Sequence, residues 1–185
     1  MRIIGGTAKG RRLRIGKTPE IRPTSDYLKE VVFDILQKHI NEVRFLDLFA
    51  GSGNVGIEAL SRGASEVIFV DRSPRSIGII ESNLQTLGLS DRATLMRIDA
   101  WTAIKRMGSR HEKFSVIFVD PPYRQGILLS TLIALSASNL LEDDGVIIVE
   151  HFHKEELPKE VPGLTRDREI RHGESKLSFF LKEKP

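Results

Sequence analysis

The chain has 185 residues and a mass of 20.8 kDa, which is one domain at roughly 150 residues each. It contains no cysteine, which excludes disulfide scaffolds, zinc–thiolate sites and cysteine nucleophiles. Hydrophobic residues make up 40% and charged residues 29%, and the longest aliphatic run, Val146–Val149, is far too short to span a bilayer. Met1–Gly6 holds no apolar core of a secretory signal, so a cytoplasmic protein is expected.

Charge is concentrated at the start. Residues 1–22 carry seven basic residues (Arg2, Lys9, Arg11, Arg12, Arg14, Lys17 and Arg22) against Glu20, a net +6. The whole chain is +3, so residues 23–185 carry −3. Such asymmetry suggests a polyanionic partner such as nucleic acid. Turn signals at Gly5-Gly6 and Lys9-Gly10 allow the flanks Arg2–Ile4 and Arg12–Ile15 to pair as a small hairpin. With basic sides, it would present charge rather than bury a core. Residues 1–22 thus read as an arm, and 23–185 as one domain.

Pro23 blocks helix before it, and Thr24 or Ser25 can cap a helix starting just after. Leu28, Val31, Val32, Ile35 and Leu36 form one apolar helical face, predicting a helix over about Asp26 to Ile40. From residue 44, strand and helix alternate. Strands are expected at Phe45–Phe49, Val67–Val70, Ala93–Ile98, Val116–Val119 and Val146–Val149. Helices are expected at Val55–Ser61, Pro74–Leu87, Ala100–Met107 and Ile127–Leu140. This alternation implies βαβ units, hence an α/β, Rossmann-like fold with a mostly parallel sheet covered on both faces. Leu164–Ile170 and Ser175–Leu181 read as a hairpin adding an antiparallel edge, for seven strands in all.

Two motifs carry chemistry. Leu46-Asp47-Leu48-Phe49-Ala50-Gly51-Ser52-Gly53-Asn54-Val55-Gly56 places G-x-G-x-x-G between a strand and a helix, where a nucleotide-like ligand can approach the main chain. Asp71 ends the next strand, where an acid can hold ribose hydroxyls. Asp47 and Glu58, which reads as lying in the helix's first turn, oppose a pyrophosphate. They argue against a nicotinamide dehydrogenase and suit S-adenosylmethionine, whose reactive part is cationic and phosphate-free. Asp99 could accept the adenine amine beside Ala100, or simply cap the helix. Trp101 reads as packing, although its position could bring it near the adenine.

The second motif, Asp120-Pro121-Pro122-Tyr123, ends the fourth strand; composition predicts it about 0.001 times by chance. The Asp120 carboxylate and the Pro121 carbonyl can accept both hydrogens of an exocyclic amine, and Tyr123 offers a face to a flipped base. His151-Phe152-His153 lacks further ligands for a metal, and no metal is expected.

With these motifs the chain resembles class I S-adenosylmethionine-dependent methyltransferases of the exocyclic-amine type. More closely it resembles the bacterial 16S ribosomal RNA guanine-N2 methyltransferase family. That resemblance takes in Ile4–Leu13, Arg22-Pro23-Thr24, Lys29-Glu30 with Phe33, Asp34 and Leu36, and Gly173–Ser178. It departs at Tyr27 and Lys29, where Arg is expected, and at Asp34, where Asn is. The resemblance implies methylation of one guanosine of small-subunit rRNA, position 966 in standard rRNA numbering, by a protein expected to be monomeric. Asp120, Pro121, Pro122 and Tyr123 would form the amine clamp. Asp47, Phe49, Ala50, Gly51, Ser52, Gly53, Gly56, Asp71, Asp99 and Ala100 would hold the cofactor, and the basic arm would hold RNA. A DNA adenine or cytosine amine methyltransferase, and a non-catalytic ribosome-assembly factor with the same fold, are the competing readings.

Overall fold

A computed structural model describes residues 1–15, 26–37, 40–122 and 126–183. Five parallel strands form one side of the sheet: β1 (Arg44–Leu48), β2 (Glu66–Val70), β3 (Ala93–Met96), β4 (Phe114–Val119) and β5 (Leu141–Phe152). Three antiparallel strands complete it: β6 (Glu160–Val161), β7 (Leu164–His172) and β8 (Ser175–Lys182). Their order is β3-β2-β1-β4-β5-β8-β7-β6. The sheet therefore has eight strands among the described residues, not seven. The addition, β6, is two residues long, too short to leave a periodic signal.

Helices cover both faces. α1 (Asp26–Leu36), α2 (Asn54–Ser61) and α3 (Pro74–Leu87) bury Leu28, Val32, Ile57, Leu60, Ile80 and Leu84 against Phe45, Phe69, Phe118 and Ile148. α4 (Ala100–Ser109) and α5 (Ile127–Ser138) bury Ala103, Ile104, Leu128 and Leu132 against Leu46, Ile68, Ile117 and Val149. Successive strand residues alternate between these two cores, as the pleat requires. α1 stops at Leu36, and residues 38–39 of the expected Asp26–Ile40 helix lie outside the described residues.

The start of the chain departs furthest from expectation. Arg2 and Arg12 form one isolated antiparallel bridge in place of two hairpin strands. Ile3, Ala8 and Leu13 are buried in the core shared with α1, α2 and α3, so the segment does not merely present charge. Its backbone is fastened to both α2 and α3. The Thr7 N–H donates to the Ser61 carbonyl at 2.7 Å, and the Ala8 N–H to Ser61 Oγ at 3.0 Å. The Asn83 side chain accepts from the Arg14 N–H at 2.8 Å and donates to the Arg14 carbonyl at 3.0 Å. Gly6 makes the approach possible: a Cβ there would stand 1.8 Å from the Ser61 carbonyl oxygen, and its φ is +74°.

A glycine loop and three carboxylates at the strand ends

The order β2-β1-β4 means that the chain leaves β1 to opposite sides, opening a crevice beyond the strands' carboxyl ends. Phe49 turns the chain out of β1 with φ +68°, a conformation uncommon for an aromatic residue. This explains why β1 ends at Leu48 rather than Phe49. The loop Ala50–Gly53 is tied back by Ala50 N–H to the Val70 carbonyl at 2.9 Å and Gly53 N–H to the Ala50 carbonyl at 2.7 Å.

Gly56 allows α2 to descend onto the sheet. A Cβ there would lie 2.3 Å from the Phe69 ring and 2.9 Å from Asp47 Oδ2. In its absence the Gly56 N–H donates to Asp47 Oδ2 at 2.9 Å. Asp47 is thus buried beneath the loop, and burial pushes its carboxyl up to about 7 despite that bond, with Asp71 adding to the rise. Asp71 directly follows β2 and accepts from the Gly51 N–H at 2.8 Å and the Ser73 N–H at 2.7 Å. Gly51 faces open space: an added Cβ would meet nothing nearer than the Phe49 carbonyl at 4.0 Å. Ser52 is buried, with its hydroxyl 3.8 Å from Met1 Sδ.

Asp99 caps α4, accepting from the Thr102 N–H at 2.9 Å and its hydroxyl at 2.6 Å. The Thr102 side chain holds the Asp99 carboxyl below its usual range, and Asp99 is exposed. Ala100 is buried behind it, while Trp101 is 42% exposed and stands edge-on to Phe49, 6.4 Å between centroids. Trp101 is therefore a rim residue more than a core one.

Asp120 comes directly after β4, with its N–H on the Leu48 carbonyl at 3.4 Å. Pro121 is buried and Pro122 exposed; Tyr123 lies outside the described residues. Burial, then the charges of Glu150 and Asp47, raise the Asp120 carboxyl well above the ordinary range. Glu150 is the residue that sequence reasoning missed. It ends the apolar run of β5 as Asp120 ends that of β4, but no motif surrounds it.

A second buried polar cluster underlies the loop. Lys29 is fully buried, and its ammonium donates to the Arg2 carbonyl at 2.6 Å, Asn54 Oδ1 at 2.9 Å and Glu58 at 3.2 Å. Burial lowers the Lys29 ammonium, opposed by Glu58. Glu58, the fifth residue of α2, also accepts from the Ile4 N–H at 2.9 Å, the Gly5 N–H at 2.7 Å and Arg62 Nε at 2.9 Å. Its work is structural.

Of the basic residues expected to meet RNA, Arg2, Lys9, Arg11, Arg12 and Arg14 are all exposed. Arg2 is paired with Asp26 at 3.9 Å, while Arg11 and Arg14 rest on α3 through Thr86 and Ser82. Lys17 and Arg22 lie outside the described residues. His151 is buried and bonded through Nε2 to Ser178 Oγ at 2.9 Å. No described helix is long and apolar enough to cross a membrane.

The chain is similar to proteins whose names point the same way. It is 41% identical to "Putative rRNA methyltransferase YlbH" of Bacillus subtilis over 98% of this chain and 99% of that one. It is 33% identical to ribosomal RNA small subunit methyltransferase D of Escherichia coli, over 99% of this chain and 90% of that one. A solved structure titled "Putative methyltransferase yhhF from Escherichia coli" superposes with a TM-score of 0.88 at 30% identity, covering 100% of this chain and 99% of the other. The family model described as "Conserved hypothetical protein 95" matches residues 1–181, and the chain belongs to that family, the RsmD/YlbH-like S-adenosylmethionine-dependent methyltransferases.

Proposed function

We propose that the protein methylates the N2 amine of one guanosine of 16S rRNA in the small ribosomal subunit, position 966 in standard rRNA numbering. The observation that carries this reading is the placement of Asp120-Pro121-Pro122 across the switch point from the glycine loop. Similarity to the small-subunit enzyme of Escherichia coli along nearly the whole chain supports the choice of RNA.

The residues present suit S-adenosylmethionine. The open side of Gly51 leaves main chain exposed for the amino-acid part, and the Asp47 carboxyl beneath it complements an ammonium. Asp71 lies where a ribose would be held, and Asp99 and Trp101 flank the place for adenine. When bound, the cofactor would supply a methyl group on a sulfonium: the amine lone pair would form the C–N bond, the C–S electrons would stay with sulfur, and one amine proton would then leave to the surrounding water.

Asp120 and the Pro121 carbonyl accept the two amine hydrogens, turning the nitrogen lone pair toward the methyl group. The Asp120 carboxylate opposes the positive charge that grows on the nitrogen. Positioning of this kind can supply roughly 7–11 kcal/mol at best. The test is label transfer from radiolabelled S-adenosylmethionine to unmethylated small subunits, with naked rRNA and DNA in parallel. N2-methylguanosine in subunit rRNA supports the reading, and label in DNA alone overturns it.

A further inference from the structure

We propose that the stacked pair of Tyr27 and His172 is a platform for an unpaired RNA base next to the target nucleotide, outside both the amine clamp and the cofactor site. This rests on the methylation reading above and deepens it.

Tyr27 lies in the first turn of α1 and His172 at the end of β7. Their rings stack with centroids 4.0 Å apart and planes 25° from parallel. Both segments reach the crevice. The start of α1 is held beside the glycine loop by Lys29, whose ammonium donates to Asn54, the first residue of α2. His172 pairs with Ser175, which also lies opposite Phe152, so the β7–β8 turn stands at the carboxyl end of β5. The sheet order there is β1-β4-β5-β8-β7. The contact therefore runs from the loop after β1 past the ends of β4 and β5, along the edge where Asp120 lies.

A stacked pair uses one face of each ring. Tyr27 is nonetheless 50% exposed and His172 is exposed too, so their outer faces and edges meet solvent. The other exposed large ring among the described residues, Trp101, follows β3, on the opposite side of β1. Guanidinium groups accompany the pair. Arg2 is exposed and stands 3.9 Å from Asp26, a contact loose enough to yield to a phosphate. Arg171, also exposed, is held at the β7–β8 turn by its Nε on the Gly173 carbonyl at 3.2 Å. Asp26 and Glu174 are the acids beside them. An aromatic face flanked by guanidinium groups fits a nucleotide, with the base on the ring and the phosphate on the cation. Extruding the target base strips its neighbours of a stacking partner. A ring at the mouth of the crevice replaces that partner whatever the neighbouring base is, because every base has a π-face.

The test compares the full-length wild type with Tyr27→Ala, Tyr27→Leu and Tyr27→Trp. Label transfer to unmethylated small subunits gives kcat and KM, and calorimetry gives S-adenosylmethionine affinity. Leucine fills the place against His172 without offering a ring, and tryptophan keeps one. Tyr27→Ala and Tyr27→Leu should raise KM for subunits about tenfold, with kcat and cofactor affinity unchanged, while Tyr27→Trp holds the wild-type KM. Ultraviolet crosslinking of the wild type to subunits should attach a nucleotide to the peptide carrying Tyr27. Should Tyr27→Ala not fold, Tyr27→Leu carries the same expectation. An equal rise of KM in Tyr27→Trp assigns Tyr27 to packing against the turn and overturns the platform. An unchanged KM with a dimer turned to monomer in sedimentation gives the surface to a second copy and also overturns it. Failure of the wild type to label any subunit overturns the methylation reading and the platform with it. Wild-type labelling with an unchanged KM in Tyr27→Leu overturns the platform alone.

Discussion

The two faces of the sheet are built on different principles. Under α4 and α5 the interior is almost wholly apolar, and its few polar atoms are answered locally: Thr131 by the Ile127 carbonyl, His151 by Ser178. Under α1–α3 the same sheet buries Asp47, Glu150, Glu58 and Lys29. Buried charge is costly unless paired, so its concentration on one face separates a dry side from a polar one. The polar side itself divides. Lys29 and Arg62 pair with Glu58 and fasten the chain's start to the glycine loop, whereas Asp47 and Asp120 disfavour each other's charge, and Glu150 adds to that effect on Asp120.

The largest effect should come from the acidic trio. Asp120→Ala should lower transfer by about 10³-fold while S-adenosylmethionine still binds, read by single-turnover label transfer beside calorimetry. Retained turnover would remove Asp120 from the reaction.

Asp47→Asn should do the opposite to stability. The folded carboxyl keeps its proton up to about pH 7, and the unfolded one releases it near its ordinary value of 3.8. The folded state therefore holds more protons between these values, and stability falls as pH rises from about 4 to 7. Asparagine keeps an acceptor for Gly56 without the charge. Urea unfolding should show it stabilising by up to about 4 kcal/mol at pH 8 and near zero at pH 4, while cofactor affinity drops. Equal effects at both pH values would show that Asp47 ionises freely.

Lys29→Met leaves Glu58 buried with Arg62 and two N–H donors still in place, and should cost about 3 kcal/mol. Adding Glu58→Gln should restore part of the loss. Leu132→Ala on the dry face should cost a similar amount, about 2–5 kcal/mol, with no second substitution able to rescue it through charge. Double-mutant cycles by thermal unfolding would distinguish the two.

The smallest effect concerns RNA. Ile3, Ala8 and Leu13 belong to the core, so removing the segment would damage the fold itself. Lys9→Gln with Arg12→Gln keeps that core and should flatten the slope of log K against log salt by about 1.4 if both side chains meet phosphates. An unchanged slope would place the contacts on other basic residues.

Much of this was legible in the residue order. Apolar runs marked the parallel strands, most plainly Val67–Val70, Val116–Val119 and Val146–Val149, because a strand buried on both faces has little polar to show. Gly56 and Asp120 were legible because the backbone or the chemistry there tolerates few alternatives. Other features had no local signal. Ile3, Ala8 and Leu13 follow no helical or strand period, since each is buried by a turn lying across α2 and α3. Glu58 read as a dipole effect because its partners, Ile4, Gly5 and Lys29, are distant in sequence. Glu150 is a lone acid after a strand until the register of β4 and β5 brings it beside Asp120.

The fastening of the first residues sets an order on synthesis. Gly5 meets Glu58 across 53 positions, Arg14 meets Asn83 across 69 and Arg11 meets Thr86 across 75. The segment of residues 1–15 cannot dock until α3 has left the exit tunnel. Until then it is a free cationic peptide beside the ribosome that made it, and only completion of the second βα unit withdraws its backbone into the fold and leaves its charges arrayed on the surface.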